Sequence, residues 1–280
     1  MKFLDVKTDY AFKKVFGTLE NKDLLIRFLN SVIVFSGDAK IKDLIIEDPY
    51  NIPMLKGMKD TFVDVKATLD NNTKVIIEMQ VLNHKGFEKR VLYNMAKNYS
   101  IQLNKKEDYH LLNPVIALSI VDFIMFDDTT KTITNFKLLE KEEFINYSDD
   151  IELIFIELPK FNKQLNELKT LQEKFIYFIK NADDLTLIPK ELEDIKQALT
   201  TINEAGLSKE ELDLQHKRKE FISIQKSSIE LAKEQGIEQG IEQGIEKRNL
   251  EIAKNLLDVL DDETISLKTG LTVDQIKTLR

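Results

Sequence analysis

Two carboxylates and an amide of one predicted β-hairpin are of the types that bind a divalent metal ion, and a lysine lies among them. Residues 60 to 81 have the pattern of two strands around a polar turn. Because side chains alternate between the faces of a strand, Asp64 and Lys66 share one face of the first strand, and Glu78 and Gln80 share one face of the second. A soluble sheet usually buries carbon at such central positions. The pattern therefore predicts a metal site on a sheet.

The register of this hairpin decides whether the four side chains meet. Directly opposed residues of an antiparallel pair lie on the same face of the sheet. A three-residue loop at residues 71 to 73 places Asp64 opposite Gln80. The same loop places Lys66 opposite Glu78. We predict this loop, or a bulge with the same effect, and hence one polar quartet.

A simpler interpretation exists for the two carboxylates. Acidic residues on a strand are typical of the solvated face of an edge hairpin, and Asp64 and Glu78 each fit that description when taken alone. The combined spacing, the Glu78-x-Gln80 pair and the flanking predicted helices favour a metal site instead.

The sequence contains an acidic residue, then a gap of about a dozen residues over a hairpin, and then Glu-x-Gln before a helix. This arrangement resembles the PD-(D/E)xK nuclease superfamily. In the usual pattern a lysine ends the second motif, and Gln80 stands in its place here. The stretch from Thr8 to Gly17 narrows the resemblance to the recombination-promoting nuclease / putative transposase family of bacteria. The stretches 21 to 30 and 88 to 103 are also similar, and the resemblance covers roughly residues 5 to 125.

The resemblance implies an α/β fold, namely a restriction-endonuclease-like mixed sheet flanked by helices and followed by a mostly helical C-terminal region. It also implies hydrolysis of DNA with Mg²⁺ as cofactor and Mn²⁺ as a substitute. Asp64 and Glu78 are the implied ligands, with the backbone carbonyl of Met79 as a third candidate. Gln80 can only orient a water molecule, because an amide has no pKa near neutral pH.

Two further residues have a catalytic interpretation and a simpler one. Lys66 shares the face of the carboxylates and would supply the positive charge that Gln80 lacks, or it is a solvated or phosphate-facing lysine. Asp9, on the first predicted helix, would be an additional acid, as in other members of the superfamily. Alternatively, Thr8 or Asp9 is the N-cap of that helix.

The helix that follows the hairpin is basic. The segment from Lys85 to Lys106 contains six basic residues and one acidic residue, Glu88. Helical spacing predicts a surface that contacts the DNA backbone through Lys89, Arg90, Tyr93, Lys97 and Gln102. The buried stripe of the same helix is predicted to contain Val91, Leu92, Met95, Tyr99 and Leu103. The alternative is an ordinary solvated helix face.

The charge distribution favours nucleic acid near the predicted site. The whole chain has 40 basic and 48 acidic residues, a net charge of −8, which by itself is unfavourable for binding DNA. Residues 1 to 110 contain 18 basic and 15 acidic residues, whereas the remainder contains 22 basic and 33 acidic residues. The positive charge is therefore concentrated in the part of the chain that carries the predicted site.

Length and composition exclude several classes of protein. The 280 residues are 42% hydrophobic and 31% charged, which is typical of a soluble globular protein. We expect neither a signal peptide nor a membrane span, since no segment of about 18 residues is apolar and uncharged. The absence of cysteine excludes disulfides and thiolate metal sites and favours a cytoplasmic location. The three histidines are too scattered for a zinc motif.

The predicted organisation has three segments: a nuclease core over residues 1–160, a helical region over 161–232, and a glycine-repeat helix with a C-terminal helical hairpin over 233–280. Within the core, residues 114–121 form a continuous apolar run typical of a strand buried on both faces. Residues 133–139 and 152–158 are predicted to be further strands of the same mixed sheet.

The sequence Glu-Gln-Gly-Ile occurs three times between Glu234 and Ile245. It is either a pliable linker or a helix, in which each glycine costs about 1 kcal/mol relative to alanine. We favour a helix whose narrow isoleucine stripe mediates self-association, so that the C-terminal helices form a homo-oligomer. Residues 263–276 resemble a helix-turn-helix, for which a packing or oligomer hairpin is favoured over a DNA reader.

The predicted function is that of a Mg²⁺-dependent DNA endonuclease with low sequence specificity that promotes recombination, as the resemblance implies. The main alternative is a catalytically degenerate DNA-binding or assembly protein that retains the nuclease fold, and Gln80 is its best support. A third interpretation is a protein-interaction module built on the helical tail.

Overall fold

The computed structural model describes residues 1–35, 39–51 and 61–280. Residue 60, the first residue of the predicted hairpin, lies outside the described residues. The chain forms two compact units, Met1–Ile222 and Ser223–Arg280. The unit that contains the sheet thus extends to Ile222, and the division into three segments stays a prediction.

The centre of the first unit is a mixed sheet. The described strands are β1 (Leu44–Glu47), β2 (Tyr50–Asn51), β3 (Thr61–Phe62), β4 (Val65–Leu69), β5 (Lys74–Gln80), β6 (Val115–Val121), β7 (Ile133–Leu139) and β8 (Asn146–Glu157). Six of them form the sheet in the order β1-β4-β5-β6-β8-β7, and β2 and β3 pair separately. Neighbours β5, β6 and β8 run parallel, and the other pairs are antiparallel. All three strands predicted after the basic helix are present.

Helices cover both faces of this sheet. The described α-helices of the first unit are α1 (Asp9–Phe16), α2 (Lys22–Val32), α3 (Phe87–Ser100), α4 (Leu171–Asn181) and α5 (Lys196–Thr201). A longer helix, α6 (Lys209–Leu256), contains the boundary between the two units. Helices α1, α2, α4 and α5 contribute to the larger core, and α3 contributes to a second core on the opposite face. The predicted mixed α/β fold is therefore confirmed.

The strands divide their residues between these two cores with a period of two. Val65, Ala67 and Ile77 enter the larger core, whereas Ile76 enters the core beneath α3. Every residue of β6 is buried, because this strand has a core on each side. The face of the sheet that carries Asp64 and Glu78 is thus the face covered by α3.

The hairpin register differs from the prediction by two residues. Val65 pairs with Ile77. Lys66 pairs with Ile76, not with Glu78. The loop has three residues, as predicted, but they are residues 70 to 72. As a consequence, Asp64 lies beside Glu78 and not opposite Gln80.

The conformations of two turn residues explain this difference. Asn72 has φ of 67°, in the left-handed region that asparagine tolerates better than most residues. Thr73 is buried, and its carbonyl accepts a hydrogen bond from the Leu69 N–H at 2.9 Å. Threonine thus continues the strand, as a β-branched residue favours, and asparagine closes the turn.

Helix α1 positions part of the site, and its first turn is tied to α6. Thr8 is the N-cap, and its hydroxyl accepts a hydrogen bond from the Ala11 N–H at 3.4 Å. The same buried hydroxyl donates to Oε1 of Gln215 at 2.7 Å. Asp9 is therefore the first helical residue, and Thr8 is the cap.

We expect Thr8→Val to lower the free energy of unfolding by about 1 to 2 kcal/mol, because it removes the cap and leaves the buried Gln215 amide without this partner. Urea unfolding followed by circular dichroism measures this loss. Thr130→Val, at an exposed loop position, is the matched control and is expected to change stability by less than about 0.5 kcal/mol. Equal effects of the two substitutions would contradict the role of Thr8.

The second unit consists of the remainder of α6 with α7 (Asp262–Thr269) and α8 (Val273–Lys277). The glycine repeat is helical, as favoured, and its three isoleucines are each more than half exposed. Gly270 ends α7 with φ of 74°, and Thr272 caps α8 with a capping box, so residues 263–276 form the two short helices that the sequence indicates. A small core contains Ala253, Ile265 and Ile276. Among the described residues, no helix has the length and apolar character needed to cross a bilayer.

Candidate active site

Two carboxylates form the centre of the candidate site. Asp64 immediately precedes β4, and its backbone N–H donates to the Ile77 carbonyl at 3.0 Å. Its Oδ2 accepts a hydrogen bond from the Met79 N–H at 2.8 Å, which fixes the carboxylate beside Glu78. The side chains of Asp64 and Glu78 are only 15% and 14% exposed. The sheet therefore buries two acidic groups as neighbours.

The burial of this pair changes its acidity. Burial raises the pKa of Glu78 to about 7, and repulsion from Asp64 adds to the rise, while Arg90 opposes it. Burial also raises the pKa of Asp64, against the lowering effects of the Met79 N–H and Lys13. A raised pKa means that burial destabilises the ionised form of each carboxylate. A positive charge that reaches the pair therefore stabilises the ionised forms.

One such charge comes from Arg90 of α3. Its Nη2 atom donates to Oε1 of Glu78 and, at 2.6 Å, to Oε1 of Gln80. Its Nη1 atom lies 3.0 Å from Nε2 of His84. Arg90 was predicted to contact the DNA backbone, and in this structure it contacts the acidic pair. The sequence did not indicate this contact, because it depends on how α3 packs across the sheet.

Gln80 is held at both ends of its amide. The carbonyl oxygen accepts from Arg90, and Nε2 donates to the Leu82 carbonyl at 2.7 Å. The oxygen of Gln80 therefore faces the same space as the carboxylate of Glu78. This is the orientation in which an amide can accept a hydrogen bond from a water molecule near Glu78.

A second charge comes from Lys13 of α1, whose Nζ lies 3.3 Å from Oδ1 of Asp64. Lys13 was not among the predicted site residues. Its position four residues after Asp9, on the same face of α1, was the signal that could have identified it. Lys13 is therefore the residue through which α1 reaches the acidic pair.

Asp9 has a different partner. Its half-exposed carboxylate pairs with Arg218 of α6, whose Nη2 lies 2.9 Å from Oδ1 and whose Nε lies 3.2 Å from the same atom. This two-nitrogen contact orients Asp9 in the resting structure. Arg218 was not among the predicted site residues, because more than 200 residues separate it from Asp9.

Lys66 lies on the predicted face but away from the pair. Its Nζ is 3.4 Å from Glu47, which also binds Lys74 at 2.7 Å. The shifted register is the reason, since it places Lys66 opposite Ile76. Among the described residues, Lys13 and Arg90 contact the acidic pair in place of Lys66.

Two of the five residues predicted to contact DNA do not lie on an open surface. Lys97 is only 4% exposed, because α3 is rotated so that Leu92 faces solvent instead of entering the predicted stripe. Gln102 follows the end of α3, and its amide accepts from the Asn113 N–H at 3.0 Å and donates to the Asn113 carbonyl at 2.9 Å. The fold therefore buries Lys97 and bonds Gln102 to Asn113, so neither side chain is presented to DNA. Lys89 and Tyr93 are exposed, as predicted.

The chemistry of the oxygen atoms fits a hard divalent ion. Asp64 and Glu78 supply carboxylates, Gln80 supplies an amide oxygen, and Met79 supplies a backbone carbonyl. No cluster of three or more acidic or histidine residues suited to a metal occurs in the described part of the chain. This is compatible with Mg²⁺, which binds one or two carboxylates and retains several waters. Arg90 contacts Oε1 of Glu78 in this structure.

Comparison with protein families gives a match over most of the chain. Residues 6–232 match the model of a family described as PD-(D/E)XK nuclease family transposase. Searches of curated proteins and of solved structures gave no match. The matched range contains the acidic pair, Gln80, and all of α1 and α3. The chain therefore belongs to the PD-(D/E)XK nuclease family transposases.

Proposed function

We propose that this protein is a Mg²⁺-dependent DNA endonuclease of low sequence specificity that promotes recombination. The observation that carries the proposal is the buried pair of Asp64 and Glu78 beside the Gln80 amide, in a member of a nuclease family. A cytoplasmic location and a homo-oligomer formed through the C-terminal helices are part of the same proposal.

Each residue of the site has a role in this proposal. Asp64 and Glu78 would hold the ion, with the Met79 carbonyl as a third ligand. A bound Mg²⁺ or Mn²⁺ would supply polarisation of the scissile phosphate and a lowered pKa for a water molecule. Gln80 orients the attacking water by accepting a hydrogen bond from it. Lys13 holds the carboxylate of Asp64 in place through their ion pair.

Arg90 supplies the positive charge beside Glu78. Its guanidinium neutralises a carboxylate whose burial would otherwise be costly. The planar donors of the same guanidinium are also suited to a phosphate, so Arg90 would help to bind the DNA backbone beside the site. Asp9, at the start of α1, is the additional acid of the proposal, and Arg218 holds it before substrate binds.

A second candidate function is that of a DNA-binding or assembly protein without catalysis. The observation that favours it is the contact of Arg90 with both Glu78 and Gln80, because this contact satisfies the acidic pair without a metal. Such a protein binds DNA equally well in Mg²⁺ and in a chelator. It hydrolyses no phosphodiester bond.

Cleavage of supercoiled plasmid by the full-length protein distinguishes the two candidates. We expect nicked and linear products in Mg²⁺ and in Mn²⁺, and none in EDTA. Isothermal titration of the protein with Mn²⁺ gives an independent readout of the site, and Glu78→Gln is expected to weaken that binding. Folded protein that binds DNA without cutting it in either metal would establish the second candidate.

A further inference from the structure

A cleft of about 670 Å³ includes Arg90 in its lining, and Arg90 also contacts Glu78 of the candidate site. Its volume is within the range of about 300 to 1,000 Å³ that is usual for small-molecule sites. The residues of interest in its lining are Phe62, Lys85, Lys89, Arg90, Tyr93 and Asn94. We call this feature the aromatic cleft. Among its described lining residues, only Arg90 has a role in the proposed catalysis.

The rings of the aromatic cleft are available to a ligand. Phe62 is 65% exposed, although it stacks on Tyr50 with the ring centroids 4.7 Å apart. Tyr93, on the first half of α3, is 38% exposed. An exposed ring that is already held by a neighbour loses little freedom when a ligand stacks on it. Nucleobases stack on such rings with little dependence on sequence.

The charge of the cleft suits a polyanion. Lys85, Lys89 and Arg90 are cationic, and the described lining residues include no acidic side chain. The rest of the chain has an excess of acidic residues, so this concentration of positive charge is a local feature. Cations beside stacking rings are the combination that binds single-stranded nucleic acid.

Asn94 gives an independent indication of a ligand. It is 1% exposed, and within the described part of the chain neither its side-chain nitrogen nor its side-chain oxygen has a hydrogen-bond partner. A buried amide without partners is costly, so such groups call for an explanation. A carboxamide presents one donor and one acceptor side by side, which matches the edge of a nucleobase.

We propose that the aromatic cleft binds one unpaired nucleobase of the DNA strand whose phosphate lies at Asp64 and Glu78. Phe62 and Tyr93 stack on the base, Asn94 bonds its edge, and Lys85 and Lys89 contact the adjoining phosphates. The inference rests on the proposed function and defines its substrate as DNA with a single-stranded or frayed segment. A base inside an intact duplex is not free to enter the cleft.

Equilibrium binding in EDTA tests this inference without cleavage. Fluorescence anisotropy compares two short duplexes with single-stranded arms, one arm with normal bases and the other with abasic sites. The two arms carry the same phosphates, so their electrostatic attraction is equal and only the bases differ. We expect the full-length protein to bind the abasic arm about tenfold more weakly. Equal affinities would overturn the proposal.

A variant assigns the effect to the cleft. Tyr93→Ala removes an exposed ring without disturbing the core, and we expect it to reduce the preference for the normal arm several-fold. Tyr109→Ala is the matched control, because Tyr109 is 85% exposed and is absent from the described lining of the cleft. It is expected to leave the preference unchanged. The same loss in both variants would contradict the assignment.

Cleavage of the same DNAs in Mg²⁺ separates this inference from the proposed function. Cleavage with equal affinity for both arms would overturn the aromatic cleft alone. A preference for the normal arm without any cleavage would support the cleft on a DNA-binding protein. Absence of both would overturn both proposals.

Discussion

Asp64→Asn is expected to abolish most of the cleavage while leaving the fold intact. Asparagine has nearly the same shape as aspartate, and its oxygen still accepts the hydrogen bond from the Met79 N–H that Asp64 accepts at 2.8 Å. It has no negative charge, so it is a poor ligand for Mg²⁺ and no longer attracts Lys13. Because disturbing an outer-shell partner of a metal already costs about 10- to 100-fold, losing a direct ligand should reduce cleavage by about 100-fold or more.

The control for this prediction is Glu142→Gln, which removes an exposed carboxylate of the β7–β8 connection. It also reduces the negative charge by one, so it reproduces any general effect on DNA affinity. Initial rates of plasmid nicking measure both variants, and circular dichroism verifies their folding. Unchanged nicking by a folded Asp64→Asn protein would place the chemistry elsewhere in the molecule.

Phe16→Ala is expected to lower the free energy of unfolding of the first unit by about 3 to 5 kcal/mol. Phe16 is fully buried, and its ring centroid lies 4.9 Å from that of Phe12, 4.8 Å from that of Phe28 and 6.3 Å from that of Phe175. The ring thus joins α1 to α2 and α4. Its removal leaves a cavity among aromatic side chains. These rings are too large to fill the cavity by small shifts.

The size of this loss matters because domains are stable by only about 5 to 15 kcal/mol in total. Urea unfolding followed by circular dichroism measures it. Phe144→Ala removes a ring that is 70% exposed, and this control is expected to change stability by less than about 0.5 kcal/mol. A loss below about 1 kcal/mol for Phe16→Ala would mean that the aromatic cluster does not anchor α1.

The sequence indicated the types and faces of the central residues but not their register. Period-two alternation places Asp64 and Glu78 on one face of their strands, and the structure agrees. Their exact pairing depended on whether Thr73 belongs to the turn or to the strand. That choice rests on the positive φ of Asn72, which local sequence did not distinguish from its alternatives.

Local sequence patterns did not identify the partners of the acidic pair, for a different reason. Lys13 and Arg90 come from helices on opposite faces of the sheet, so their convergence follows from tertiary packing. The basic pattern of α3 correctly marked Lys89 and Tyr93 as exposed. It failed at Lys97, because a basic residue was assumed to face solvent and the phase of the buried stripe was off by about one position.

The N-terminal segment obtains its partners from far along the chain. The Leu4 N–H donates to the Ile202 carbonyl at 3.0 Å, Phe3 pairs with Asn203, and Thr8 bonds Gln215. During protein synthesis at about 5 to 20 residues per second, the ribosome needs roughly 10 to 40 s to add the 200 or so residues that separate these partners. Helix α1, with Lys13, is not fully anchored until then. The acidic pair therefore acquires a firmly positioned Lys13 only after the ribosome has synthesised the chain as far as Gln215.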